Sequence, residues 1–70
     1  MFIQTIGKQI QKRRKLLKIT QSDLSEISGV SLRTIKAIEK GEVNPTIEIL
    51  SRVLGPLGLT LTTTERVKHE

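Results

Sequence analysis

Arg33, Lys36 and Lys40 stand three and four residues apart, with Ala37 among them, a spacing that gathers side chains onto one face of a helix. The chemistry such a face offers is recognition. The planar guanidinium of Arg33 matches the O6 and N7 acceptors of guanine, and the Ala37 methyl suits the methyl group of thymine. Lys36 reaches a base edge or a phosphate, with a solvated lysine as its plain alternative. Ser31, Thr34, Lys40 and Asn44 add hydroxyl, ammonium and amide donors around the same stretch, suited to phosphate oxygens. Catalytic chemistry has no comparable set. The chain has no cysteine, its one histidine (His69) lies in a charged tail, and Ser31 has no base in reach of its pattern, so no enzyme, metal or cofactor is expected.

Those side chains need a rigid carrier, and the hydrophobic spacing supplies one. Apolar residues at 3, 6, 10 and 17 form a helical stripe over 3–18, with Lys8, Lys12 and Lys15 on the opposite side. Thr20 offers an N-cap, with Asp23 three residues on as a near relative of the capping box. A short helix over 21–28 follows, turning Leu24 and Ile27 inward, and Gly29 stops it. Ser31 caps the next helix, 32–40, whose Ile35 and Ile38 face inward, and Gly41 ends it. With Ile35 inward, Arg33 and Ala37 point about 200° away. A fourth helix over 46–54 carries Ile47, Leu50 and Leu54, with Pro45 at its entrance. Gly55, Pro56 and Gly58 break the pattern.

After this break the period drops to two. Leu59, Thr60, Leu61, Thr62 and Thr63 alternate as a strand over 59–64. Nothing else in the chain alternates, so the expected partner is the same strand of a second copy, the other outcome being a disordered or partner-captured tail. The expected organisation is a DNA-binding domain over 1–58, a dimerisation strand over 59–64 and a frayed tail over 65–70.

Length and charge set the frame. Seventy residues make one domain, which buries roughly 60% of its unfolded surface and gains from oligomerisation. The net charge of +5 is uneven: residues 1–40 hold nine Lys/Arg against three acids, residues 41–70 three against four. A basic front suits a face turned to a polyanion. No apolar run is long enough to cross a bilayer, and Met1-Phe2-Ile3-Gln4 lacks the features of a signal peptide, so a cytoplasmic location is expected. Phe2 alone cannot supply the stacking platform of a single-strand binder.

Two short helices joined at Gly29 form a helix-turn-helix pattern over 21–41. Leu24, Val30, Ile35 and Ile38 would fix the angle of the second helix, and small Ser25 would let the two helices cross closely. With Ile6-Gly7, Arg14, Thr20-Gln21-Ser22-Asp23-Leu24, Gly29-Val30-Ser31, Thr34-Ile35, Ile38-Glu39-Lys40-Gly41 and Asn44-Pro45-Thr46, residues 6–54 resemble the Xre/Cro-type repressors, the group of the phage lambda repressor. Ser25 and Ser28 stand where alanines are frequent in that group.

The resemblance implies a mostly α, four- to five-helix repressor fold that binds double-stranded DNA. It points to Leu32 as base-proximal, against the equal alternative of burial at the turn, and to Gln21 as a phosphate ligand that braces the recognition helix. Arg14 and Glu39 each border an apolar stripe and suggest a buried ion pair. Arg13 flanks the same stripe, so spacing leaves the partner of Glu39 open; the resemblance implies Arg14.

The strand-like ending is similar to that of the HipB-type antitoxins. That likeness implies an autorepressor that also binds a HipA-type kinase toxin. A stand-alone regulator, or an interaction module without DNA binding, is the alternative. A palindromic operator read by a homodimer, with half-sites about 34 Å apart, is the expected target.

Overall fold

The computed structural model describes residues 2–62. Four helices occur among them in the order α1 (Phe2–Leu16), α2 (Gln21–Ser28), α3 (Leu32–Lys40) and α4 (Ile47–Leu54), closed by a 3-10 turn at Gly55–Leu57. Local sequence sets each boundary. The Thr20 hydroxyl accepts from the Asp23 N–H at 2.9 Å while the Asp23 carboxylate accepts from the Thr20 N–H at 3.0 Å, a complete capping box on α2. Ser31 and Thr46 cap α3 and α4 in the same way, each accepting from the third residue on. Gly29 and Gly41 end α2 and α3 at φ of 74° and 72°, left-handed positions that a side chain would strain.

A single core joins the elements. Ile10, Leu24, Ile35, Ile38, Val53 and Leu57 are fully buried, with Ile6, Val30, Leu50 and Leu54 around them. The backbones of α1 and α3 approach closely at Gly7. A Cβ at Gly7 would sit 2.8 Å from the Glu39 carbonyl oxygen and closer still to that of Ile38. Only glycine lets the two backbones meet there.

The structure corrects the sequence-based reading in four places. The first helix ends at Leu16 and not at Lys18, which takes φ of 59° and turns the chain. The Ile19 N–H then bonds the Arg14 carbonyl at 3.0 Å, and Ile19 packs on the core in place of half-exposed Leu17. Ile27 is exposed, because α2 spans two turns and rests on the core through Leu24, with Val30 closing it beyond the turn.

Ile47 is exposed as well. The inward row of α4 is Leu50, Val53 and Leu54, and the first residue of the helix lies outside it.

Finally, no strand occupies residues 59–62. The Leu59 N–H goes to the Leu54 carbonyl at 3.0 Å, and its side chain packs against the core. The bond to Leu54 satisfies the Leu59 N–H within the chain. Thr63 and the rest of the expected strand lie outside the described residues.

Candidate nucleic-acid interface

The outer side of α3 is built by its inner side. Ile35 and Ile38 anchor the helix in the core, and Glu39, buried at 7% exposure, ties it to two other helices. Arg14 of α1 donates to Glu39 through Nε at 2.7 Å and through a terminal nitrogen at 3.1 Å. Gln21 of α2 donates its side-chain amide to the same carboxylate at 3.0 Å. A further Arg14 nitrogen donates to the Ile19 carbonyl at 2.9 Å. Both oxygens of the buried carboxylate therefore have donors, the condition under which a buried charge is tolerated.

The open question between Arg13 and Arg14 is thus resolved. Arg14 takes Glu39, while Arg13 donates from Nε to the Leu57 carbonyl at 2.8 Å and pins α1 to the 3-10 turn. Spacing gave no sign of that contact, because a bare carbonyl has no side-chain signature.

With its inner face held, α3 presents Arg33, Lys36 and Lys40 to solvent. These three, with half-buried Leu32 and Ala37, line an open groove of about 560 Å³. All four residues expected to read bases, Arg33, Leu32, Lys36 and Ala37, come together on it. Leu32 is partly buried, as one of its readings had it, and lies on the groove wall. Glu42 and Val43 complete the lining, and sequence reasoning passed over both as loop. They are placed by the end of α3, where the Glu42 N–H bonds the Ala37 carbonyl at 2.9 Å.

The expected phosphate ligands are more dispersed. Ser31 and Thr34 cluster at the start of α3, where the Ser31 hydroxyl donates to that of Thr34 at 2.9 Å. Lys40 lies at the far end of the groove. Exposed Asn44 stands in the loop before α4, outside the groove lining. Gln21 is half-buried against Glu39, so the structure places it as a brace of α3.

The turn between α2 and α3 carries two further contacts. The Ser25 hydroxyl donates to the Val30 carbonyl at 2.6 Å, and the Ser28 hydroxyl accepts from the Val30 N–H at 3.1 Å. Both serines are small enough for close packing, as expected, and they also satisfy the backbone of the turn.

The Thr20 N–H, and after it the Thr20 hydroxyl, hold the Asp23 carboxyl below its ordinary value of 3.8.

A two-helix unit with a capped, groove-lining second helix defines a helix-turn-helix module. The chain belongs to the helix-turn-helix family, whose pattern it matches over residues 10–63. It is 44% identical over 54 residues to an uncharacterized HTH-type transcriptional regulator of Haemophilus influenzae, covering 77% of this chain and 55% of that protein. A regulator of the same description from Methanothermobacter thermautotrophicus is 41% identical over 49 residues, 70% of this chain and 71% of its own length. The immunity repressor protein of Bacillus phage phi105 is 36% identical over 55 residues, 79% of this chain and 38% of the repressor. The chain thus spans about half the length of the Haemophilus protein, and 16% of a putative HTH-type transcriptional regulatory protein of Methanococcus maripaludis. Among the described residues no helix is long and apolar enough to cross a membrane.

Proposed function

We propose that this chain is a transcriptional repressor module that reads double-stranded DNA through α3 and acts as a homodimer on a two-fold symmetric operator. The observation that carries this is the exposed face of Arg33, Lys36 and Lys40 on a helix whose opposite side is locked by the buried Glu39 cluster. Rigid support behind a cationic, groove-lining face is what base reading requires, since a misplaced guanidinium finds no acceptor pair.

In this function Arg33 forks onto a guanine, Lys36 reaches the neighbouring base edge or phosphate, and Ala37 and Leu32 contact thymine methyls. Ser31, Thr34, Lys40 and Asn44 hold phosphates. Gln21 keeps a second amide hydrogen beyond the one given to Glu39, which can go to a phosphate at the start of α2. The regulators and the phage repressor to which the chain is similar support the same function. The narrower role of a toxin-binding antitoxin had residues 59–64 as its support, and residues 59–62 form no strand.

Selection from a pool of random duplexes tests the proposal. Enrichment of an inverted repeat with half-site centres one helical turn apart is expected, with affinity falling steeply as salt rises. Recovery of the unselected pool at low salt, with no enriched sequence, would remove it.

A further inference from the structure

The groove on α3 holds an acid among its cations. Glu42 lines it together with Arg33, Lys36 and Lys40. Its place is fixed by the turn that ends α3. Gly41 takes φ of 72°, and the Glu42 N–H returns to the Ala37 carbonyl at 2.9 Å, so the chain folds back beside the helix.

The Glu42 side chain is exposed, and it makes no hydrogen bond or ion pair among the described residues. The ion pairs formed there engage Glu39 and Glu48. Glu42 stays out of both, although three cations line the same groove. Its charge is therefore not spent on holding the fold together.

An unspent carboxylate on this face runs against the charge of its surroundings. A phosphate brought to it is repelled, and a carboxylate offers acceptors only. What satisfies it in the major groove of a duplex is an amino group on a base edge. Guanine presents two acceptors there, and thymine an acceptor and a methyl group, so neither has a hydrogen to give. Adenine presents its N6 amino group beside the N7 acceptor, which would face the second carboxylate oxygen. Cytosine presents its N4 amino group with no acceptor beside it.

We propose that Glu42 is a specificity-determining residue, accepting a hydrogen bond from the N4 amino group of a cytosine at one position of the half-site. Arg33 and Glu42 then read by opposite means from one groove: the guanidinium takes a pair of acceptors, the carboxylate takes a donor. The same negative charge weakens attraction to every duplex, so selectivity is gained where overall affinity is given up. This inference rests on the proposed reading of DNA through α3 and adds to it a residue from the loop beyond that helix.

Selection from random duplexes, run in parallel on the full wild-type chain and Glu42→Ala, reads both effects. Wild type should enrich cytosine at a position of the half-site where Glu42→Ala selects no base. Discrimination there should fall about tenfold or more while preferences elsewhere persist. Affinity for an unselected duplex at low salt should rise about twofold in the variant, since a negative charge is gone. Glu42→Gln should move the same position toward adenine, whose N6 and N7 match a side-chain amide. Both variants should melt near wild type, because the Glu42 side chain makes no bond among the described residues. A Glu42→Ala chain that enriches the wild-type sequence at every position would overturn the inference, whatever its affinity. So would a uniform loss of selection across the half-site. In either case enrichment by the wild type leaves the DNA-reading function standing, whereas a wild type that enriches nothing removes both.

Discussion

The guanidinium of Arg14 meets the carboxylate of Glu39 at 2.7 and 3.1 Å, across 25 residues of sequence and inside the protein. Because Gln21 shares the same carboxylate, one side chain of α3 fixes that helix against both α1 and α2. The buried charge therefore stands directly behind the groove-lining face, and its loss should be felt as stability and as orientation together.

Glu39→Ala leaves Arg14 buried without its partner and Gln21 without its acceptor. The expected loss is about 3–5 kcal/mol, a large share of the stability of a domain this small. Urea unfolding measures it, and a midpoint within a few tenths molar of wild type would contradict the role. Arg14→Met combined with Glu39→Met should lose less than the two single changes added together.

Gly7→Ala would ordinarily help a helix by about 1 kcal/mol. Here the added methyl collides with the carbonyls of Ile38 and Glu39, so the sign should reverse. Overpacking of this kind costs about 1–3 kcal/mol. The variant should melt below wild type and, since the collision lies on α3, also bind DNA less tightly than its stability alone would explain.

Arg33→Ala removes an exposed side chain that makes no hydrogen bond or ion pair among the described residues, so thermal stability should stay within about 0.5 kcal/mol of wild type. Discrimination at one base pair of each half-site should fall by about 1–3 kcal/mol, and the affinity spread across single-base operator variants measures it. Arg33→Lys should keep most of the salt dependence and lose the discrimination, because an ammonium lacks the fork.

The capping box gives a pH dependence with a defined sign. Thr20 holds the Asp23 carboxyl below 3.8, so its contribution is present in full well above that value and is lost as pH falls through the lowered one. Melting temperatures of wild type and Asp23→Asn should therefore differ at neutral pH and converge in acid. A gap that persists unchanged to the most acidic point would show that the carboxylate charge is not what stabilises α2.

Sequence alone determined the helices and the outward face of α3, because both depend on interactions of short range. Thr20 and Ser31 bond the residue three further on, Gly29 and Gly41 answer to their own φ, and Ile35 fixes by rotation where Arg33 and Ala37 point. Tertiary structure decided whatever depended on what lies opposite. The same apolar character buries Leu50 and leaves Ile47 in solvent, because the core ends between them. Arg13 and Arg14 are adjacent and alike, and only the arrangement of α1 gives one a carbonyl and the other a buried carboxylate. The alternation at 59–62 reads as a strand, yet a strand needs a neighbour, and Leu59 found the core instead. Backbone polarity must be satisfied by something in reach, and one-dimensional spacing does not say what is in reach.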